Sequence, residues 1–178
     1  MAYPQEKKQM SQQDMMAQMM KYAMPTKEHD FLKSCVGDWD VEVKSWMKPG
    51  DEPAMSKGTM KGELFFDGRY VKCNFDGMMM AQPFKGMQII GYDLFQKKYV
   101  GFWIDNMSTN FYLSSGTLDA SGKVLTETGM RPDPMAGAMK KVKIVTTHMD
   151  GKFKYEMFRT EPDGKEFKSM ELMYSRKM

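Results

Sequence analysis

The side chains best able to do chemistry in this 178-residue chain are few and scattered. Trp103-Ile104-Asp105-Asn106-Met107 closes one strand-like run with an indole, a carboxylate, a carboxamide and a thioether. Trp103, Asp105 and Met107 share one parity, while Val100, Phe102 and Ile104 share the other. Both faces are partly apolar, so the inward face of this run stays open from the sequence. Turned inward, Asp105 would orient the polar end of a ligand with Asn106 beside it, and burial would raise its pKa. The other reading is that Asp105 and Asn106 only organise the turn before Phe111. Arg159 has the parity of Phe153, Tyr155 and Met157. A lumenal guanidinium there would pair with a ligand carboxylate; on the alternative reading it reaches solvent past its own apolar stem.

Met78-Met79-Met80, near Phe84 and Met87, reads as a portal that adapts to apolar ligands, because methionine is unbranched and polarizable. It is a poor copper(I) site, since several sulfurs must converge there and adjacent strand residues point oppositely. His29 lies between Glu28 and Asp30 and reads as a surface residue. His148 has the parity of Val142, Ile144 and Thr146 and so can face inward. Cys35 and Cys73 have apolar neighbours and no Cys-x-x-Cys spacing, which suits small buried hydrophobes. No paired carboxylates, Ser/His/Asp order, phosphate loop or metal-ligand spacing is written here. The chain therefore reads as a binding or interaction protein before an enzyme, with no cofactor and no metal indicated.

Positioning such groups falls to short elements. Residues 10–23 carry Met15, Met16, Met19, Met20 and Ala23 at helical spacing, with Ser11 as N-cap and Pro25 as the stop. A second short helix is expected over 27–35, ended by Gly37. From Trp39 the period changes to two: Trp39, Val41 and Val43 alternate with Asp40, Glu42 and Lys44. Further runs follow at 55–66, 71–76, 84–92, 98–105, 111–118, 123–130, 139–148, 153–157 and 166–176. Turn signals such as Asp67-Gly68, Asp150-Gly151 and Pro162-Asp163-Gly164 separate them. Met78–Pro83 is expected to break the pattern. Ten strands joined by connections this short cannot pair in parallel. An up-and-down meander of that length leaves two long edges unless it closes. The expectation is thus an all-β fold: a closed antiparallel barrel of about ten strands over 26–178, with a Met-rich helical extension over 1–25. A two-sheet sandwich is the alternative.

Composition bounds the function. Charged residues make up 28%, the hydrophobic class 42%, and the net charge is +3. No Lys/Arg-rich run favours nucleic acid. No stretch approaches the ~20 apolar residues that would span a bilayer. Met1 to Met24 lacks the apolar core and cleavage site of a signal peptide, so cytoplasmic residence is expected. The 23 methionines outnumber the 19 Val, Ile and Leu residues together, which makes for a soft, adaptable interior. The Met-rich helix could also dock a partner or a second copy.

These residues carry a resemblance. Gly37-x-Trp39 after a short helix, followed by an antiparallel meander, is similar to the lipocalin (calycin) superfamily. There the Trp plugs one barrel end and an Arg of the last strand stacks on it; Arg176 is the matching residue. More closely, the chain resembles a bacterial family classed as domain of unknown function 1579. Pro49-Gly50, Gly68-Arg69, Gln82-Pro83-Phe84-x-Gly86, Gly91-Tyr92-Asp93, Trp103-Ile104-Asp105-Asn106-Met107, Pro132-Asp133-Pro134 and Pro162-Asp163-Gly164-Lys165-Glu166-Phe167 carry that likeness, over roughly residues 28 to 177. It implies the barrel and assigns no activity. Small ten-stranded barrels of another family, the nitrobindins, hold haem through a late-strand His, a role His148 could take.

The expected function is to hold a small hydrophobic or amphipathic molecule in the lumen. Its contacts would be Met80, Phe84, Trp103, Asp105, Asn106, Met107, Tyr155 and Arg159, with Gly37, Trp39 and Arg176 closing the far end. The alternatives are a filled barrel that docks partners through the Met-rich helix, and a haem barrel using His148.

Overall fold

The computed structural model describes residues 10–133, 136–161 and 163–177. Helix α1 (Gln12–Ala23) and a 3-10 helix (Lys27–Cys35) precede ten strands: β1 (Gly37–Ser45), β2 (Ala54–Phe65), β3 (Tyr70–Met79), β4 (Gln82–Asp93), β5 (Lys98–Asp105), β6 (Tyr112–Leu118), β7 (Val124–Asp133), β8 (Ala138–Met149), β9 (Lys152–Thr160) and β10 (Glu166–Arg176). Each strand pairs antiparallel with its neighbours in sequence, and β10 returns to pair with β1. Closure satisfies the backbone groups that two free edges would leave open.

The alternation seen in the sequence sets which way each strand faces. In β1, Trp39, Val41 and Val43 are buried while Asp38, Asp40 and Glu42 are exposed. A single residue of register slip would turn the apolar set outward, so this pattern fixes the pairing. In β10 a bulge between Lys168 and Met170 precedes the inward set Met170, Leu172 and Tyr174.

Two elements differ from the sequence reading. β3 and β4 run straight through the Met-rich segment, pairing Gly77 with Phe84, Met78 with Pro83 and Met79 with Gln82. The turn is only Met80-Ala81, both in the left-handed region at φ 49° and 60°. That is the backbone of a tight type I′ hairpin, which usually takes Asn-Gly. Met-Ala carries no such signal, and Asp76-Gly77, which does, lies inside a strand. His29 is the second difference. It is 6% exposed rather than on the surface, because its Nδ1 accepts the Thr26 N–H at 3.0 Å and its ring meets Tyr92 edge-on at 5.8 Å.

The 3-10 helix lies across one barrel end against β2, β3 and β4. Leu32 is wholly buried, and Phe31, Cys35 and Val36 pack on the same core. Tyr99 donates from its hydroxyl to the Glu28 carbonyl at 2.7 Å, and the Trp39 indole N–H to the Cys35 carbonyl at 3.1 Å. This end is the floor. The opposite end, where β3 meets β4 and β7 meets β8, is the mouth.

Helix α1 buries none of its residues. It meets the barrel at its C-terminal end, where Arg69 Nε donates to the Ala23 carbonyl at 2.9 Å and Tyr22 meets Phe95 at 5.7 Å. Met15, Met16, Met19 and Met20 stay exposed.

Candidate functional site: the barrel lumen

The barrel is hollow. A cavity of about 1180 Å³ runs through the lumen and opens at the mouth. Ten strands enclose more room than side chains of this size can fill, whereas about eight leave just enough for packing. The wall is mainly apolar, with Phe75, Phe84, Trp103, Ile144, Phe153 and Met157 among its residues. Small inward residues keep the space open: Ser56 on β2, Ser114 on β6 and Thr146 on β8 stand where larger side chains would project into it.

The inward parity of β5 is that of Tyr99 and Trp103. The Trp103 ring stacks with Phe84 at 6.1 Å, and Phe84 meets Phe75 at 5.7 Å, forming an aromatic wall on β3, β4 and β5. Of the eight residues singled out by sequence, Met80, Phe84, Trp103 and Tyr155 line the cavity. Asp105 shares Trp103's parity but sits at the strand end, accepting the Trp103 indole N–H at 2.9 Å and the Met107 N–H at 3.0 Å. Asn106 accepts the Lys85 N–H at 2.9 Å and donates to the Pro83 carbonyl at 3.1 Å, tying the loop to β4. Met107 is exposed beside them. Arg159, near the mouth, is held by Glu161 at 2.7 Å and lies 4.8 Å over the Phe167 ring.

At the floor, the Arg176 guanidinium lies 4.5 Å over the Trp39 ring. His148 lines the cavity with Phe153 stacked on it at 5.2 Å and Phe31 edge-on at 4.6 Å. Its Nε2 is buried with no hydrogen-bond partner among the described residues, and burial pushes its pKa down to about 4. Cys35 and Cys73 are both free thiols that line the cavity. Their mutual hydrogen bond and burial hold Cys73 well above the ordinary thiol range.

Three lumenal groups escape strand-by-strand reading of the sequence. Glu127 is 2% exposed, and its carboxylate accepts from the Ser114 hydroxyl at 2.8 Å. Burial raises its pKa. Tyr112 is buried, and its hydroxyl has no hydrogen-bond partner among the described residues. Arg131 lines the cavity near the mouth. The signal was available: Leu125, Glu127 and Arg131 share a parity on β7, so an inward Leu125 brings both charges inward. Among the described residues no cluster of three or more His, Cys, Asp or Glu could hold a metal ion. No helix among them is long and apolar enough to cross a membrane.

Comparison with known proteins adds the family and the fold. No curated protein matches the chain. The crystal structure of Rv2717c from M. tuberculosis superposes with a TM-score of 0.65 at 9% identity, covering 87% of this chain and all of that one. At that identity the likeness shows a shared barrel fold alone. The model of a family described as "Protein of unknown function (DUF1579)" matches residues 24–176, from just before the 3-10 helix to the last residue of β10, and the chain belongs to that family.

Proposed function

We propose that this protein holds a small hydrophobic or amphipathic molecule in the barrel lumen. The observation that carries the reading is the cavity itself: about 1180 Å³, open at one end, closed at the other, and walled mainly by aromatic and aliphatic side chains. Pockets for drug-sized ligands span roughly 300–1,000 Å³, so a ligand of that size fits with room to spare. Met80 at the mouth and Met157 deeper in can re-pack around different shapes. Phe84, Trp103 and Tyr155 would supply most of the contact area. The test is organic extraction of the purified protein followed by mass spectrometry, alongside titration with the neutral dye Nile red. Binding predicts a co-purifying apolar molecule or saturable dye uptake. Neither extract nor uptake would sink the reading.

A second reading has one observation in its favour. His148 offers a buried, unpartnered Nε2 to the same cavity, and its depressed pKa keeps the imidazole neutral, the form that ligates a haem iron. Adding haem should then give a Soret band that His148→Ala removes. No band, or a band indifferent to that substitution, discards it.

A further inference from the structure

Tyr112 and Arg131 stand side by side on the lumenal faces of β6 and β7. The register that pairs Leu113 with Met130 and Ser114 with Gly129 sets them opposite each other. Both line the cavity. Tyr112 is 7% exposed, yet its hydroxyl has no hydrogen-bond partner among the described residues. The ring lies over Gly129, where an added Cβ would stand 3.0 Å from the hydroxyl oxygen. The absent side chain is what lets the phenol reach the cavity at this height.

Arg131 differs from two other cations near it at the mouth. Its neighbour Lys140 pairs with Asp133 at 2.8 Å, and Arg159 pairs with Glu161 at 2.7 Å. Arg131 has no ion pair among the described residues; its Nη1 meets only the Met157 sulfur, at 3.7 Å. A guanidinium with an apolar stem and an unsatisfied fork, beside a buried phenol with an unsatisfied O–H, lacks a planar acceptor that can take several donors at once. A carboxylate has that shape.

We propose that Arg131 and Tyr112 bind the carboxylate of an amphipathic acid whose apolar tail runs down the lumen toward Ile144, Leu125 and Phe153. The inference rests on the lumen-binding reading and names the chemical class of its ligand. Burial pushes the Tyr112 phenol up to about 12, so it remains a donor at neutral pH. The lumenal carboxyl on the same strand, Glu127, accepts the Ser114 hydroxyl, and burial raises its pKa. Trp103, paired with Tyr112 across β5 and β6, packs with Tyr155 and Met170 against the cluster that Tyr112 forms with Val142, Ile144 and Met157.

The experiment is competition for Nile red in the full chain by dodecanoate and by dodecan-1-ol, which share a tail and differ in charge. Wild type should prefer dodecanoate. Arg131→Gln should weaken dodecanoate roughly tenfold to a hundredfold, the usual loss for a hydrogen-bonded charge, and leave dodecan-1-ol unchanged. Tyr112→Phe should weaken dodecanoate several-fold by the same selectivity. If Arg131→Gln does not fold, as judged by circular dichroism, Tyr112→Phe alone must still narrow the preference. Equal affinity for acid and alcohol in wild type, or an undiminished preference in the folded variants, overturns the carboxylate site and leaves the lumen reading intact. Failure of Nile red and of both competitors to bind overturns the lumen reading, and the site with it.

Discussion

Arg176 and Trp39 stand directly opposite each other on β10 and β1, the strand pair that closes the barrel, with the guanidinium 4.5 Å from the centre of the indole. The contact fastens the seam and covers the floor at one point. The Trp39 ring is 2% exposed and meets Phe153 edge-on at 4.9 Å, so it joins seam to core. Gly37 makes room beside it. Its φ is +117°, and an added Cβ would lie 2.6 Å from Arg176 Nη1.

Gly37→Ala should therefore destabilise the barrel by on the order of 2 kcal/mol, from backbone strain and displacement of the guanidinium. Arg176→Ala should cost about 1 kcal/mol, the worth of a partly desolvated cation–π contact. Urea unfolding followed by Trp fluorescence measures both. Losses that add fully in the double variant would mean that the two residues do not act through one contact.

The floor was legible in the sequence for a physical reason: Gly-x-Trp, a period of two and turn dipeptides are local signals, and a meander with short connections has few ways to close. The lumen was less legible. Hollowness depends on the summed size of inward side chains from all ten strands, which no local pattern states. Arg159 looked the better anion partner because its strand is cleanly amphipathic, yet Glu161, two residues on, holds it at the mouth. Arg131 was hidden because the strand-like run was expected to end at 130, whereas β7 extends to Asp133.

Glu127 offers a test of the lumen's electrostatics. Its folded pKa is raised by burial, so the native state binds its proton more tightly than the unfolded chain does. The sign follows: its contribution to stability is fully present below the unfolded value of about 4.3 and is lost as pH rises through the folded value. Glu127→Gln keeps an acceptor for the Ser114 hydroxyl and cannot ionise. The variant should match wild type in acid and become more stable than it as pH rises above about 4.3, levelling off once the folded value is passed. A difference in melting temperature that stays flat across that range would contradict the assignment.

The Met80-Ala81 turn predicts an easy gain. Both residues hold positive φ, which costs an L side chain roughly 1 kcal/mol or more apiece. Met80 is 77% exposed, so its side chain contributes little to the core. Replacing the pair with Asn-Gly should stabilise the barrel by about 1–2 kcal/mol. Urea midpoints at unchanged slope would register it. The same variant should leave Nile red affinity within about twofold if Met80 only frames the mouth, whereas a larger loss would make it a direct contact, near the worth of one buried methylene or more.

His148 makes a prediction about acid stability with the opposite slope to Glu127. Burial among Phe31 and Phe153 lowers its folded pKa to about 4, against roughly 6.5 in an unfolded chain. Above about pH 6.5 both states are neutral and the residue adds no pH dependence. As pH falls below that value the unfolded chain takes up the proton first, so native stability declines until the folded pKa near 4 is reached. His148→Phe retains a ring between the two aromatic neighbours and cannot be protonated. Comparing the two proteins at each pH cancels the contribution of Glu127, which both retain. The difference in unfolding free energy should be level from about pH 8 to 6.5 and then move steadily in favour of the variant toward about pH 4. Parallel curves throughout would mean that the imidazole meets enough water in the lumen to be protonated as easily in the folded barrel as in the unfolded chain.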